Sequence, residues 1–203
     1  MPMCDNSLRE FCQQTASSAA TPGGGSVSAL VGALGASLAE MVASLTVKKA
    51  GFESVQEEMF DLLSEGESLR DALLTLIDAD CAAFGSYMEA LAMPKGTEEE
   101  RAARRAELQA AARRSAEMPM EMARCSMRVM PLVKSALALG NPMAASDARM
   151  AAILVRAAVR SAVINVRVNL PALGDEALAA GMEAECAALE EQAAEQEAAI
   201  LSM

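Results

Sequence analysis

The 203-residue chain contains no histidine and no tryptophan, and only one tyrosine and four phenylalanines. Without an imidazole there is no Ser-His-Asp triad and no histidine-based zinc site, so catalysis must run on other acids, bases and ligands. Few rings mean a core filled by Ala, Leu, Met and Val, which suit helix packed on helix. The 15 methionines are read as core filler rather than a cofactor site. Basic residues are also short, 17 against 28 acidic, and the net charge of −11 argues against nucleic acid and anionic membrane surfaces as partners. The five cysteines are odd in number and lack C-x-x-C spacing, so they are expected to be reduced, mostly buried thiols of a cytoplasmic protein. MPMCDNSLREF has no basic region followed by an apolar run, which argues against a signal peptide. The uncharged run 27–39 falls short of the ~20 residues that span a bilayer. A soluble protein that uses no membrane is the expectation.

What remains is helical periodicity, with no stretch alternating as a strand does. Helices are predicted over 7–16, from near Ser26 to Thr46, and from Ser54 to Ala92, the last opened by a capping box of Ser54 and Glu57. Met93-Pro94-Lys95-Gly96 breaks the third helix, and a second capping box, Thr97 with Glu100, opens the next. Pro119 is expected to kink or interrupt that helix before Gly140 ends it. Either Asn141, followed by Pro142, or Ser146 caps a helix that reaches Asn169, and an acidic helix runs from Asp175 onward. No repeat or linker divides the chain, and 98–117 reads as a solvated helix face. The expected fold is all-α, a single-domain helical bundle.

Three features point to a site. Thr21-Pro22-Gly23-Gly24-Gly25-Ser26 delivers an uncapped helix N-terminus into the interior, where bare N–H groups suit an anion or carbonyl. A tight turn is the other reading of the same glycines. The following helix places Ala29, Gly32, Ala36, Ala39 and Ala43 on one face and is apolar nearly all round, so it belongs in the bundle centre or a subunit interface. Asp80 falls on a stripe through Leu62, Leu69, Leu73, Ile77, Phe84 and Leu91, where a carboxylate is either ion-paired or functional, while Asp78 points elsewhere, toward solvent. In the 141–169 segment, Arg149, Arg156, Arg160 and Arg167 share one face; Asp147, Asn165 and Asn169 share the opposite one with small apolar residues. Asp147 and Asn165 are ~27 Å apart along the helix, so they mark two places.

The run TPGGGSVSALVGALGASLAEMVASLT, with DADCAAF, EMPMEMA, GNPMAASDARMAA and NVRVNLPAL in the same order, resembles the formiminotetrahydrofolate cyclodeaminase/methenyltetrahydrofolate cyclohydrolase family. The resemblance implies an all-α homodimer acting on tetrahydrofolate one-carbon derivatives, with no cofactor beyond that folate substrate and no metal. It implies catalytic roles for Asp80 and Asp147, and substrate binding by Gly23, Gly24, Gly25, Ser26, Asn141, Ser146, Asn165 and Asn169. It also implies a polyglutamylated folate as a candidate substrate and a separate glutamate formiminotransferase as a candidate partner. Cyclisation of 5-formiminotetrahydrofolate and hydrolysis of the methenyl compound pass through related tetrahedral centres, so both remain open. A non-enzymatic helical assembly partner is the competing class.

Overall fold

The structure is a computed structural model that describes residues 2–203. Its helices are α1 (Leu8–Thr15), α2 (Gly24–Ser44), α3 (Gln56–Ala92), α4 (Glu98–Leu139), α5 (Ala145–Asn169) and α6 (Glu176–Leu201), and no strand occurs among the described residues. The all-α single bundle is as expected. α2 is its axis, packed by α3, α4 and α5, while α6 lies outside against α5 and α4.

The packing follows from small residues. Ala29, Gly32, Ala36, Ala39 and Ala43 are all buried, so three neighbours can approach the α2 backbone. At Gly35 the approach is closest to α5: a Cβ there would sit 2.7 Å from Val155 Cγ2 and 3.4 Å from the Ala151 carbonyl oxygen. α2 has 21 residues and meets the length and apolarity needed to cross a membrane, contrary to the shorter run read from the sequence. Most of it is buried inside the bundle instead. Leu34 and Met41 of α2 and the adjoining Leu45 stay exposed, as do Met150, Ile153, Ile164 and Val168 of α5.

Several local expectations need correction. α2 begins at Gly24, not Ser26, because the glycines take helical geometry themselves. Ser54 does not cap α3; residues 53–55 form a 3₁₀ turn and the helix starts at Gln56 without a side-chain cap. The Thr97–Glu100 capping box is present, and an unforeseen one at Ser7 and Glu10 opens α1. Pro119 does not interrupt α4, which runs unbroken for 42 residues with Pro131 also inside it. Of the two candidate caps, Asn141 is the one used: its side chain accepts from the Met143 N–H and starts a 3₁₀ turn that leads into α5. Asp78 is not free in solvent; it accepts the Met3 N–H at 2.6 Å and holds the N-terminal turn against α3. Cys125 and Cys186 are buried, but Cys4 and Cys12 are exposed because the N-terminal segment lies on the surface. The methionines divide likewise: Met59, Met120, Met122 and Met130 fill the core, whereas Met143 and Met150 are exposed.

Two of the four arginines on the α5 face, Arg156 and Arg167, are ion-paired; Arg149 bonds the Ala145 carbonyl and Arg160 has no ion pair among the described residues. Arg156 meets Glu197 at 3.1 Å, and Arg167 reaches Glu183 and Glu190 at 2.9 and 2.7 Å, fastening α6.

Gly35→Val is expected to lose about 1–3 kcal/mol, since a branched side chain cannot fit between packed helices. Urea denaturation measures this, and Val155→Ala in the same chain should recover part of the loss.

Candidate functional site

The glycine segment meets α3 at one residue. Gly23 is the N-cap of α2 and offers no side chain, so the first N–H groups of the helix need another acceptor. Asp80 of α3 supplies it. The Ser26 hydroxyl donates to Asp80 Oδ2 at 2.9 Å, and the Ser26 backbone N–H lies close enough to lower the carboxylate's pKa. A Cβ on Gly25 would lie 2.5 Å from Asp80 Oδ1, so only glycine admits the contact. None of Gly23, Gly24 and Gly25 has a positive φ, and close approach is therefore what demands glycine here.

No ion pair involving Asp80 exists among the described residues, so the buried-arginine alternative fails. Burial raises the Asp80 pKa, and the Ser26 hydroxyl and N–H pull it part of the way back. The carboxylate opens on a cavity of about 360 Å³ whose walls come from the α2 N-terminus, α3, α4 and the end of α5.

Asn165 and Asn169 face the same cavity, one helical turn apart. Asn165 Nδ2 donates to the Ser161 carbonyl at 2.9 Å and its side chain would touch a Cβ on Gly24 at 3.2 Å. Asn169 Nδ2 donates to the Ser115 carbonyl of α4 at 2.9 Å. That carbonyl lies four residues before Pro119, which has no N–H to offer it. Asn169 thus replaces the hydrogen bond that the proline removes, which explains how α4 stays continuous there. In this orientation both amides use their N–H₂ groups on the backbone.

The remaining predicted residues lie elsewhere. Asn141 is buried at the far end of α5, its N–H donating to Thr46 Oγ1 at 2.8 Å and its side chain to the Leu45 carbonyl; it joins α5 to α2 rather than lining the cavity. Ser146 is exposed on the first turn of α5, and the half-buried Asp147 follows it. Neither reaches the Asp80 cavity within the chain. Conversely, sequence reasoning missed Phe84, Tyr87 and Ser115, all of which line it. Phe84 and Leu91, assigned to the core stripe with Asp80, are exposed at 38% and 40%. The spacing 80, 84, 87 on one helix face was the available signal for Phe84 and Tyr87.

A partly desolvated carboxylate with no ion-pair partner, opening on a ligand-sized cavity with amides opposite, is an arrangement of the kind found at enzyme active sites. The sequence pattern of the formiminotransferase-cyclodeaminase family matches residues 7–188, and the chain belongs to that family. It is 37% identical to a methenyltetrahydrofolate cyclohydrolase of Methylorubrum extorquens, covering 93% of this chain and 94% of that protein. It is 35% identical to the formimidoyltransferase-cyclodeaminase of Mus musculus over 86% of this chain, but that stretch is 32% of the mouse protein. The crystal structure of formiminotetrahydrofolate cyclodeaminase from Thermotoga maritima superposes with a TM-score of 0.87 at 34% identity, covering 97% of this chain and 94% of that one. These relatives are enzymes, and the assembly-partner alternative is set aside.

Asn169→Ala should destabilise the protein by about 1–3 kcal/mol, because it leaves the Ser115 carbonyl without a donor. In a Pro119→Ala background residue 119 regains its N–H, and the same substitution should cost much less. A double-mutant cycle by chemical denaturation measures the difference.

Proposed function

We propose that this chain is a tetrahydrofolate one-carbon enzyme that cyclises 5-formiminotetrahydrofolate to 5,10-methenyltetrahydrofolate with release of ammonia. The observation that carries this reading is Asp80, a half-buried carboxylate with a raised pKa and no ion-pair partner, at the wall of the cavity. In the reaction N10 bonds to the carbon of the protonated formimino group. Asp80 takes the N10 proton as that bond forms, then delivers it to the amino nitrogen, whose bond to carbon breaks as ammonia leaves. One group acting as base and then acid suits a pKa above the ordinary carboxylate range. Asn165 and Asn169, which line the cavity, present amide oxygens to donors on the pterin. Gly23 and Gly24 let the substrate lie against the backbone.

The second reading is hydrolysis of 5,10-methenyltetrahydrofolate to 10-formyltetrahydrofolate, favoured by the end-to-end similarity to the Methylorubrum cyclohydrolase. There Asp80 removes one proton from the attacking water as its oxygen bonds to the methenyl carbon and returns it to N5 as the bond between that carbon and N5 breaks; the remaining hydroxyl proton leaves to solvent as the formyl carbonyl forms. No cofactor or metal enters either scheme. The enzyme works in the cytoplasm on free or polyglutamylated folate, and a separate glutamate formiminotransferase is its supplier, in keeping with the longer mouse relative. It is a homodimer: the apolar flank of α2 and α5, with Leu34, Met41, Leu45 and Ile164 open to solvent, pairs with its own copy. Sedimentation at micromolar concentration should show a dimer, and a stable monomer would contradict it.

Asp80→Asn tests the mechanism. It should lower kcat about 10²–10⁴-fold, followed as ammonia release from 5-formiminotetrahydrofolate and as loss of methenyltetrahydrofolate absorbance. Turnover of one substrate alone selects between the two readings. Near-normal kcat in the variant would remove Asp80 from the chemistry.

The raised pKa also sets the sign of two pH effects. Activity should rise with pH as Asp80 ionises, along a limb above the ordinary carboxylate range. Because the folded state holds this proton more tightly than the unfolded one, its contribution to stability is lost as pH rises through the folded pKa. Asp80→Asn removes that loss and should melt no lower than wild type at neutral pH. Ser26→Ala deletes a hydrogen bond to the ionised form and should move the activity limb to higher pH.

A further inference from the structure

The chain has only five aromatic rings, and two of them line one cavity. Phe11 is buried in the core, Phe52 lies under Lys49 Nζ at 5.5 Å, and Phe60 is exposed on the early part of α3. Phe84 and Tyr87 follow Asp80 by four and seven residues on α3, so all three stand on one helix face. Their backbones lie about 6 Å and 10 Å beyond Asp80 along the helix axis. The α4 side of the cavity contributes only short side chains, Ala112 and Ser115, which leaves room beside the two rings. Phe84 keeps 38% of its surface exposed in a bundle whose core has little aromatic content, so the ring is not placed for core packing.

We propose that Phe84 and Tyr87 form the wall against which the p-aminobenzoyl ring of the folate stacks, and that they determine selectivity for ligands carrying that ring. The inference rests on the folate reading above. It follows from covalent geometry: Asp80 handles the proton on N10, and the p-aminobenzoyl ring is bonded directly to N10. The ring must therefore lie beside Asp80, and along α3 the surfaces next to Asp80 are Phe84 and then Tyr87. The pterin, on the other side of the reacting carbon, is left to Asn165 and Asn169. Ring on ring favours offset or edge-to-face contact, which an aliphatic side chain of similar volume does not reproduce.

The composition supplies its own probe. With no tryptophan and a single tyrosine, the tyrosine emission of the protein comes from Tyr87 alone. p-Aminobenzoylglutamate, which has the ring without the pterin, should change that emission and compete with 5-formyltetrahydrofolate in calorimetry. Phe84→Leu and Tyr87→Leu should each weaken binding of both compounds about ten-fold and raise KM more than they lower kcat. Tyr87→Phe, which keeps the ring, should recover most of the affinity. Where a leucine variant melts early, the methionine variant at the same position takes its place. The proposal is overturned if Tyr87→Leu and Phe84→Leu bind 5-formyltetrahydrofolate as tightly as wild type. It is equally overturned if wild type binds 5-formyltetrahydrofolate while p-aminobenzoylglutamate neither competes nor alters the emission; the folate reading then survives. If wild type binds neither compound in calorimetry, the folate reading fails, and this proposal with it.

Discussion

The site depends on the contact between the Asp80 carboxylate and the first turn of α2. Three conditions make it possible. Gly23 leaves the N-terminal amides uncapped, Gly25 has no Cβ where Oδ1 must sit, and Ser26 adds a hydroxyl to the backbone donor. A carboxylate at a helix N-terminus gains from the helix dipole and loses its hydration, and here the loss is larger, since the pKa is raised. The same contact therefore closes the α2–α3 interface and holds a carboxylate whose pKa lies above its ordinary range. Structure and chemistry are not separable at this residue.

The opposite wall is held by a second dependency, running from α4 to α5. Pro119 removes a donor inside a long helix, and Asn169 returns one to Ser115. Because the amide spends its N–H₂ group on the backbone, its oxygen is the atom that can meet a ligand. Asn165, tied to Ser161 in the same way, repeats the arrangement one turn earlier. The polar groups of the cavity are thus fixed before any ligand arrives, as efficient proton transfer requires.

Charge is arranged around this core by the same economy of faces. Arg156 and Arg167 of α5 point to α6 and pair with Glu183, Glu190 and Glu197, while Met150, Ile153, Ile164 and Val168 of α5 stay exposed. One helix therefore carries three surfaces: an ion-paired one that binds α6, a small-residue one that meets α2, and an apolar one left exposed.

Periodicity and composition by themselves determined the helix order, the buried character of the small-residue helix, the shared face of the α5 arginines and the singling out of Asp80. These are properties of spacing along one helix, and spacing is written in the chain. What they left undecided were the relations between helices. The apolar stripe of α3 reads as continuous through Phe84 and Leu91, yet α2 begins opposite Asp80, and beyond that point the stripe meets a cavity rather than a core. Asn141 is named with Asn165 and Asn169 as a site residue, but the fold puts it at the other end of the bundle, where it holds Leu45 and Met143. Pro119 reads as a break because its cure lies fifty residues away on another helix. Only the tertiary structure could supply that cure: it decides which donor meets which orphaned carbonyl, and which glycine gives way to which carboxylate.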